Sequence, residues 1–366
     1  MANIGYLQVV RHCNHYCGFC SNPSTPFEHT LESMRELVDD LVARGYFGVV
    51  LTGGEPSLHP ELPKIARYAK DRGLHVRMIT NGHRMAQPDF AKAMADSGLD
   101  LVHVSIYSVR PEVEERLRGT PGTLRLAFAA LESAHAAGIE VNVNSVINRH
   151  NADHLDETVR YLIEQHPYVR HFVWNNLDPS MGRAEVNQTE FTPTLRSFEA
   201  SLHRALTLLY RSGRSFRVER VPLCYMVDFA WASTETRKIV KSEERVVHFL
   251  DDKQTVRQTE WEHQYAEGCE VCSLRPICGG LFDRGGAYDP AELSPVFVPA
   301  EPIIKAILAD GEVEQRVEAA EPQAPSVGMV TPESLIRHAR RRAVEARRAA
   351  NLGVEPERDP QKDGVE

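Results

Sequence analysis

The chain has 366 residues, with 42 Lys and Arg against 51 Asp and Glu, for a formal net charge of −9. That length suits one large α/β domain plus a smaller one, and the acidic balance argues against wholesale nucleic-acid binding. No basic stretch followed by an apolar run opens the chain, and no apolar run approaches the roughly 20 residues of a membrane span, so neither a signal peptide nor a membrane partner is expected.

In chain order, Gly5 to Arg11 reads as a short strand, and a cysteine-rich loop follows directly. Thr30 to Arg44 carries Leu31, Met34, Leu37, Val38, Leu41 and Val42 at helical spacing and stops at Gly45. Phe47 to Leu51 is an apolar run suited to a strand buried on both faces. Helices are predicted over Pro63–Asp71, Asp89–Ser97, Thr123–Ala137 and Ala152–Gln165, and strands over Leu74–Thr80, Leu99–Ile106, Glu140–Ile147 and Val169–Trp174. Six strand–helix steps imply parallel strands with right-handed crossovers, an open, partial (β/α)6 barrel over residues 1–185. Residues 186–300 then hold a bridging helix, Thr194–Arg211, and a small C-terminal cluster-binding domain. Residues 301–366 form a linker and an Arg-rich tail. In such sheets ligands sit at the C-terminal ends of the strands.

The motifs lie at those ends. Cys13, Cys17 and Cys20 follow the first strand in a Cys-x3-Cys-x2-Cys spacing. Three soft thiolates on eight residues suit an iron–sulfur cluster with one iron left open, or zinc if His12 or His15 completes the set. Thr52-Gly53-Gly54-Glu55-Pro56 follows the second strand, where two glycines let backbone approach closely and the carboxylate can accept bonds from an ammonium. The seven cysteines, odd in number and tightly grouped, argue for metal ligation in a reducing cytoplasm rather than disulfides.

Cys-x3-Cys-x-aromatic-Cys after a first strand, with Gly-Gly-Glu one unit later, resembles the radical S-adenosylmethionine (SAM) enzymes. The resemblance implies a [4Fe–4S] cluster on Cys13, Cys17 and Cys20 whose open iron chelates SAM. It implies reductive cleavage of SAM to a 5′-deoxyadenosyl radical that abstracts hydrogen from the substrate, with an electron donor such as flavodoxin or ferredoxin. It places Gly53, Gly54 and Glu55 on the amino group of SAM, and the backbone of Phe19 against the adenine. Ser105, Asn144 and Asn176 are further SAM-contact candidates, although strand five reads Val143-Asn144-Ser145-Val146-Ile147 where some members carry Gly-x-Ile-x-Gly-x-x-Glu. Tyr107 and Arg183 are candidate catalytic pocket residues, Arg183 lying in a Pro179…Gly182-Arg183-Ala184 segment that recurs in the SPASM and twitch branch.

Cys269-x2-Cys272-x5-Cys278-Gly-Gly resembles the end of a SPASM domain, and Cys224 is the remaining thiol available as a fourth ligand. Four cysteines suit one auxiliary [4Fe–4S] cluster, with a structural zinc site as the competing reading. The expected substrate is a ribosomally made peptide. Because the first strand starts near residue 5, a peptide is expected to need a separate recognition protein or a leader bound elsewhere, which keeps alive radical oxidation or rearrangement of a small molecule such as a sugar or cofactor precursor. A non-catalytic zinc scaffold is the alternative of another class. His150 and His154 form a possible metal pair if helical, and Phe172 and Trp174 read as core. Past residue 312 the composition turns linker-like. A cationic helix is expected over Pro332–Ala350, capped by Thr331, and disorder from Glu355.

Overall fold

The computed structural model describes residues 4–22, 24–249, 254–283 and 286–318. Strand β1 (Ile4–Val10) leads into the cysteine loop. Helix α1 (Leu31–Ala43) starts where the Thr30 hydroxyl accepts the Ser33 N–H at 3.2 Å. Then come β2 (Gly48–Gly53), α2 (Leu62–Asp71), β3 (His75–Thr80), α3 (Pro88–Asp96) and β4 (Leu101–Ser105). They are followed by α4 (Pro111–Arg118), α5 (Thr123–Ala136), β5 (Glu140–Ile147), α6 (Leu155–Gln165) and β6 (His171–Asn176). Two short helices, α7 (Gly182–Val186) and α8 (Gln188–Phe191), precede α9 (Leu195–Arg211) and β7 (Ser215–Glu219). Helix α10 (Thr234–Lys241), strands β8 (Arg245–His248) and β9 (Thr255–Gln258), and helix α11 (Glu301–Glu318) complete the described elements.

The nine strands form one sheet in the order β7-β6-β5-β4-β3-β2-β1-β8-β9, parallel throughout except for β9 against β8. The expected strand–helix alternation is present and continues one step further. Helix α9, read from sequence as a bridge, delivers β7 to the edge beside β6, so the sheet runs past residue 185. Residues up to Gly311 fall in one compact unit. Helix α11 continues through residues 312–318, where the composition suggested a linker, and the Arg-rich segment with Thr331 lies outside the described residues.

The sheet is rolled. Strands β7 and β8 stand seven strand-to-strand steps apart, about 34 Å in a flat sheet at roughly 4.8 Å per step. Yet Arg245 on β8 donates from Nη2 to Oε1 of Glu219 on β7 at 2.9 Å. Outside the roll, Leu7, Val9, Val76, Met78, Val102, Phe172, Trp174, Phe216 and Val218 are buried beneath the helices. Each such side chain contributes about 1.5–3 kcal/mol, so this outer layer holds the fold. Several alternate positions, among them Tyr6, Arg77, His103, His171 and Arg217, are half-buried and polar, which leaves a lumen face suited to polar contacts. Parallel pairing brings the loops after β1 to β7 to one end, and the motifs lie there.

Candidate cofactor and metal sites

The cysteine loop leaves β1 at Arg11 and is fastened from several sides. At its neck Arg11 Nη1 donates to Asn22 Oδ1 at 2.7 Å, and Asn22 Nδ2 returns a bond to the Arg11 carbonyl at 3.2 Å. On the β2 side Gly54 N–H donates to Val10 O at 2.7 Å and Glu55 N–H to His12 O at 3.0 Å. A Cβ on Gly53, whose φ is +125°, would lie 2.2 Å from Val10 O, and one on Gly54 2.0 Å from His12 O. These glycines therefore let the cysteine loop itself lie against β2, a tighter demand than ligand approach alone. Tyr16 N–H donates to Arg118 O and Gly18 N–H to Leu117 O, both at the end of α4. From α7, Ala184 N–H donates to Cys20 O, Arg183 Nε donates to Cys17 O at 2.8 Å, and Asn187 Nδ2 donates to Gly18 O at 3.0 Å.

Cys13, Cys17 and Cys20 are each partly buried in this loop. Burial pushes the Cys17 thiol up to about 12 and raises that of Cys13, and charge on neighbouring sulfurs adds to both shifts. Such thiols ionise when a cation sits beside them. Cys13 Sγ already accepts the His15 N–H at 3.4 Å and faces Asn81 Nδ2 at 3.7 Å, donors that stabilise a thiolate. The histidines offered for a zinc set stand otherwise. His12 faces Glu28 at 3.9 Å. Burial and the adjacent Arg118 push the His15 imidazole down to about 3, and its Nδ1 stands 3.3 Å from Arg118 Nη1. Among the described residues no three His, Cys, Asp or Glu side chains converge as a single metal ion requires.

Glu55 is buried, and its carboxylate accepts from Ser57 N–H, Thr80 Oγ1 and Asn81 N–H at 3.1, 2.7 and 2.7 Å. It joins the ends of β2 and β3 and keeps lone-pair capacity on Oε2. Phe19 is buried edge-on to Tyr107, with ring centroids 4.8 Å apart. Tyr107, a candidate pocket residue, is enclosed. It is buried beneath the loop, 5.1 Å from the Arg118 guanidinium, and burial raises its hydroxyl far above the usual tyrosine range, so it stays protonated. Arg183 likewise commits its Nε to a loop carbonyl. Ser105 ends β4, buried, against that same hydroxyl. Asn144 Oδ1 accepts from Asn175 Nδ2 at 2.9 Å on the lumen face. Asn176 is the last residue of β6 rather than a loop residue; its Oδ1 accepts from Tyr288, and its buried Nδ2 has no partner among the described residues. That orphan donor at the strand end is one a bound cofactor can satisfy.

His150 and His154 do not pair. His154 caps α6, between Ser108 Oγ at 2.8 Å and Asp153 Oδ1 at 2.5 Å, and His150 stands 3.8 Å from Glu190. The Ser108–His154–Asp153 chain has the order of a nucleophile relay, but Ser108 is fully buried and its hydroxyl accepts the Arg110 N–H. Sequence reasoning missed α4 and its buried ion pair, Glu114–Arg118. The signals were present: Pro111 at the start, Glu112 and Glu114 in the first turn, Arg116 and Arg118 in the last, and Gly119 at φ +58°.

The second cysteine group does come together. Cys224, Cys269, Cys272 and Cys278 line one pocket of about 300 Å³, open space included, walled by Leu223, Tyr265, Leu274, Leu293 and Val296. Gly280 N–H donates to Cys278 Sγ and Val296 N–H to Cys272 Sγ, both at 3.3 Å. Burial pushes the Cys224 thiol up to about 11 and raises that of Cys278. Four cysteines lining one pocket, with N–H donors on two of the sulfurs, suit a polynuclear sulfur-ligated centre rather than a single ion.

A rolled parallel sheet with a three-thiol loop at its C-terminal mouth defines a class of cofactor-binding α/β domain. Residues 7–162 match the family model of the radical SAM superfamily, which marks that stretch as a radical SAM domain. It is 31% identical to the PqqA peptide cyclase of Ruegeria pomeroyi over 168 residues, 44% of this chain and 45% of that protein. It is 32% identical to the Fe-coproporphyrin III synthase of Methanosarcina barkeri over 147 residues, 39% of this chain and 36% of that one. The chain thus spans under half the length of these curated relatives. The fold is similar to that of SuiB of Streptococcus suis bound to S-adenosylmethionine, at TM-score 0.59 and 14% identity over 80% of this chain and 78% of that one. It is also similar to anSMEcpe with bound AdoMet, at TM-score 0.58 and 14% identity over 86% of this chain and 98% of that one.

Proposed function

We propose that the protein is a radical SAM enzyme that modifies a ribosomally made peptide and carries one auxiliary [4Fe–4S] cluster. The observation that carries the reading is the cysteine loop, pinned by its backbone to β2, α4 and α7 at the mouth of the rolled sheet. Cys13, Cys17 and Cys20 would hold the first cluster. Gly53, Gly54 and Glu55 would meet the SAM amino group, and Ser105, Asn144, Asn176 and the Phe19 backbone the rest of SAM. When bound, cluster and SAM supply a single electron and a 5′-deoxyadenosyl radical able to abstract hydrogen. The chain's own part is to fix the loop, to keep Tyr107 protonated beneath it, and to present the polar lumen to the substrate. Cys224, Cys269, Cys272 and Cys278 would close the auxiliary cluster, which then carries electrons rather than substrate. A flavodoxin- or ferredoxin-like donor and a cytoplasmic setting follow from this chemistry; among the described residues no helix is long and apolar enough to cross a membrane.

Peptide modification is supported by the likeness to PqqA peptide cyclases and by the shared fold with SuiB bound to its precursor peptide SuiA, at TM-score 0.58. The equally similar Fe-coproporphyrin III synthase favours a small-molecule substrate as the second reading. Anaerobically reconstituted protein should be brown, with about 8 iron per chain. With dithionite and SAM it should release 5′-deoxyadenosine, and deuterium should enter that product from a peptide fraction of deuterated cells rather than from their porphyrins. A colourless zinc protein that never cleaves SAM would defeat the reading.

A further inference from the structure

We infer that Arg118 is a positioning residue whose buried positive charge, partly offset by Glu114, raises the reduction potential of the centre held by Cys13, Cys17 and Cys20. The inference rests on the reading that these thiols hold a cluster.

Both side chains of the pair are fully buried, and Arg118 Nε donates to Glu114 Oε1 at 2.7 Å. A buried pair is retained against a desolvation cost that an apolar pair would avoid, so its placement asks for a reason. Arg118 is tied to three stretches at the mouth, the cysteine loop and the ends of β3 and β4. Its carbonyl accepts the Tyr16 N–H of the cysteine loop at 3.0 Å. Its Nη1 donates to the Asn81 carbonyl at 3.0 Å, and its Nη2 to the Ser105 carbonyl. Asn81 in turn directs its Nδ2 toward Cys13 Sγ. The Oε2 of Glu114 accepts the N–H groups of Tyr107 and Ser108 at 3.0 and 2.8 Å, so its charge is held by backbone donors. The guanidinium also reaches the cysteine loop itself, where Arg118 Nη1 stands 3.3 Å from Nδ1 of His15. The pair is therefore a dipole with its positive end toward the thiols, in a setting of low dielectric. Reduction adds one negative charge to whatever the thiols hold, and a positive dipole end favours that state.

The test is a redox titration followed by electron paramagnetic resonance of reconstituted protein. Iron content and the spectrum of the unaltered, reduced protein report on the cluster reading; the midpoints of the variants report on the inference. Arg118→Gln combined with Glu114→Gln keeps a hydrogen-bonded pair without charge. Its midpoint should fall by at least about tenfold in the reduction equilibrium, 59 mV for one electron. Arg118→Lys keeps the charge but loses the fork, so its midpoint should stay at the wild-type value. A neutral pair with full iron and a wild-type midpoint would overturn the inference, as would an equal fall in both variants. If the neutral pair takes up no iron, Arg118→Gln alone is titrated, a tenfold fall supporting the charge and a wild-type midpoint refuting it. Loss of iron in both would overturn it in favour of a structural hub.

Discussion

Replacing Gly54 with Ala should weaken metal loading at the first centre while leaving the second intact. The added Cβ would stand 2.0 Å from His12 O and 2.7 Å from Arg11 O, both backbone atoms that no rotamer change can move aside. Relief requires the loop to retreat by about 1 Å, which breaks the bonds from Gly54 N–H to Val10 O and from Glu55 N–H to His12 O. Overpacking of this kind costs about 1–3 kcal/mol, and each of the two lost bonds about 1 kcal/mol more, so the variant should be less stable by about 3–5 kcal/mol. Gly73→Ala is the control. Its φ is +84° but nothing lies within 4 Å of the new Cβ, so it carries only the left-handed backbone penalty of about 1–2 kcal/mol. Urea unfolding of the metal-free proteins gives the stabilities, and iron counting after reconstitution gives the occupancy. Gly54→Ala should retain about half of the iron and Gly73→Ala all of it. If Gly54→Ala matched the control in both measurements, the packing of β2 against the cysteine loop would be wrong as described.

Cys17→Ala should abolish SAM cleavage yet keep the iron of the second group, whereas Cys272→Ala should lower iron and block turnover while sparing SAM cleavage; iron content with 5′-deoxyadenosine yield separates the two. Arg183→Met removes a charged bond to the Cys17 carbonyl, worth about 1.5–3 kcal/mol, and should loosen iron at the first site, seen as faster loss to a chelator. His103, deep in the lumen, is held down to about 3 by burial and by Arg77, below the usual histidine value near 6.5. The unfolded chain therefore binds the extra proton first, and stability present above pH 6.5 is lost as pH falls toward 3. Between pH 7.5 and 5 this one residue should account for about 2 kcal/mol of lost stability. In urea melts across that range His103→Asn should lose that much less stability than wild type, and equal pH slopes for the two would refute the assignment.

Much of the scaffold is legible in the sequence, because α1, α5, α6 and α9 show sustained helical periodicity and the strands between them are apolar runs closed by glycine or asparagine. The cysteine and Gly-Gly-Glu motifs are readable by type and by position after strands. What escapes is short or depends on neighbours. Helix α4 has only Val113 and Leu117 as apolar positions in eight residues, too few for a periodic signal. Strands β7 and β8 have five and four residues. Glu114 and Arg118, four apart, look like an ordinary solvated helix pair, and only tertiary packing reveals them as fully enclosed. Tyr107 and Arg183 lie near the thiols as expected, but which way each side chain turns is decided by α4 and α7. That Cys224 shares a pocket with Cys269, 45 positions later, depends on the path of β8 and β9 between them.

Strand β1, which leads into the first thiols, is flanked on one side by β2 and on the other by β8, some 240 positions downstream. During synthesis the leading strand therefore emerges from the ribosome long before its second neighbour exists, a pairing of high contact order. A fragment ending before Arg245 would expose that strand as a bare margin open to self-association. Cutting the chain between the two sulfur groups would therefore leave β1 with one neighbouring strand in place of two.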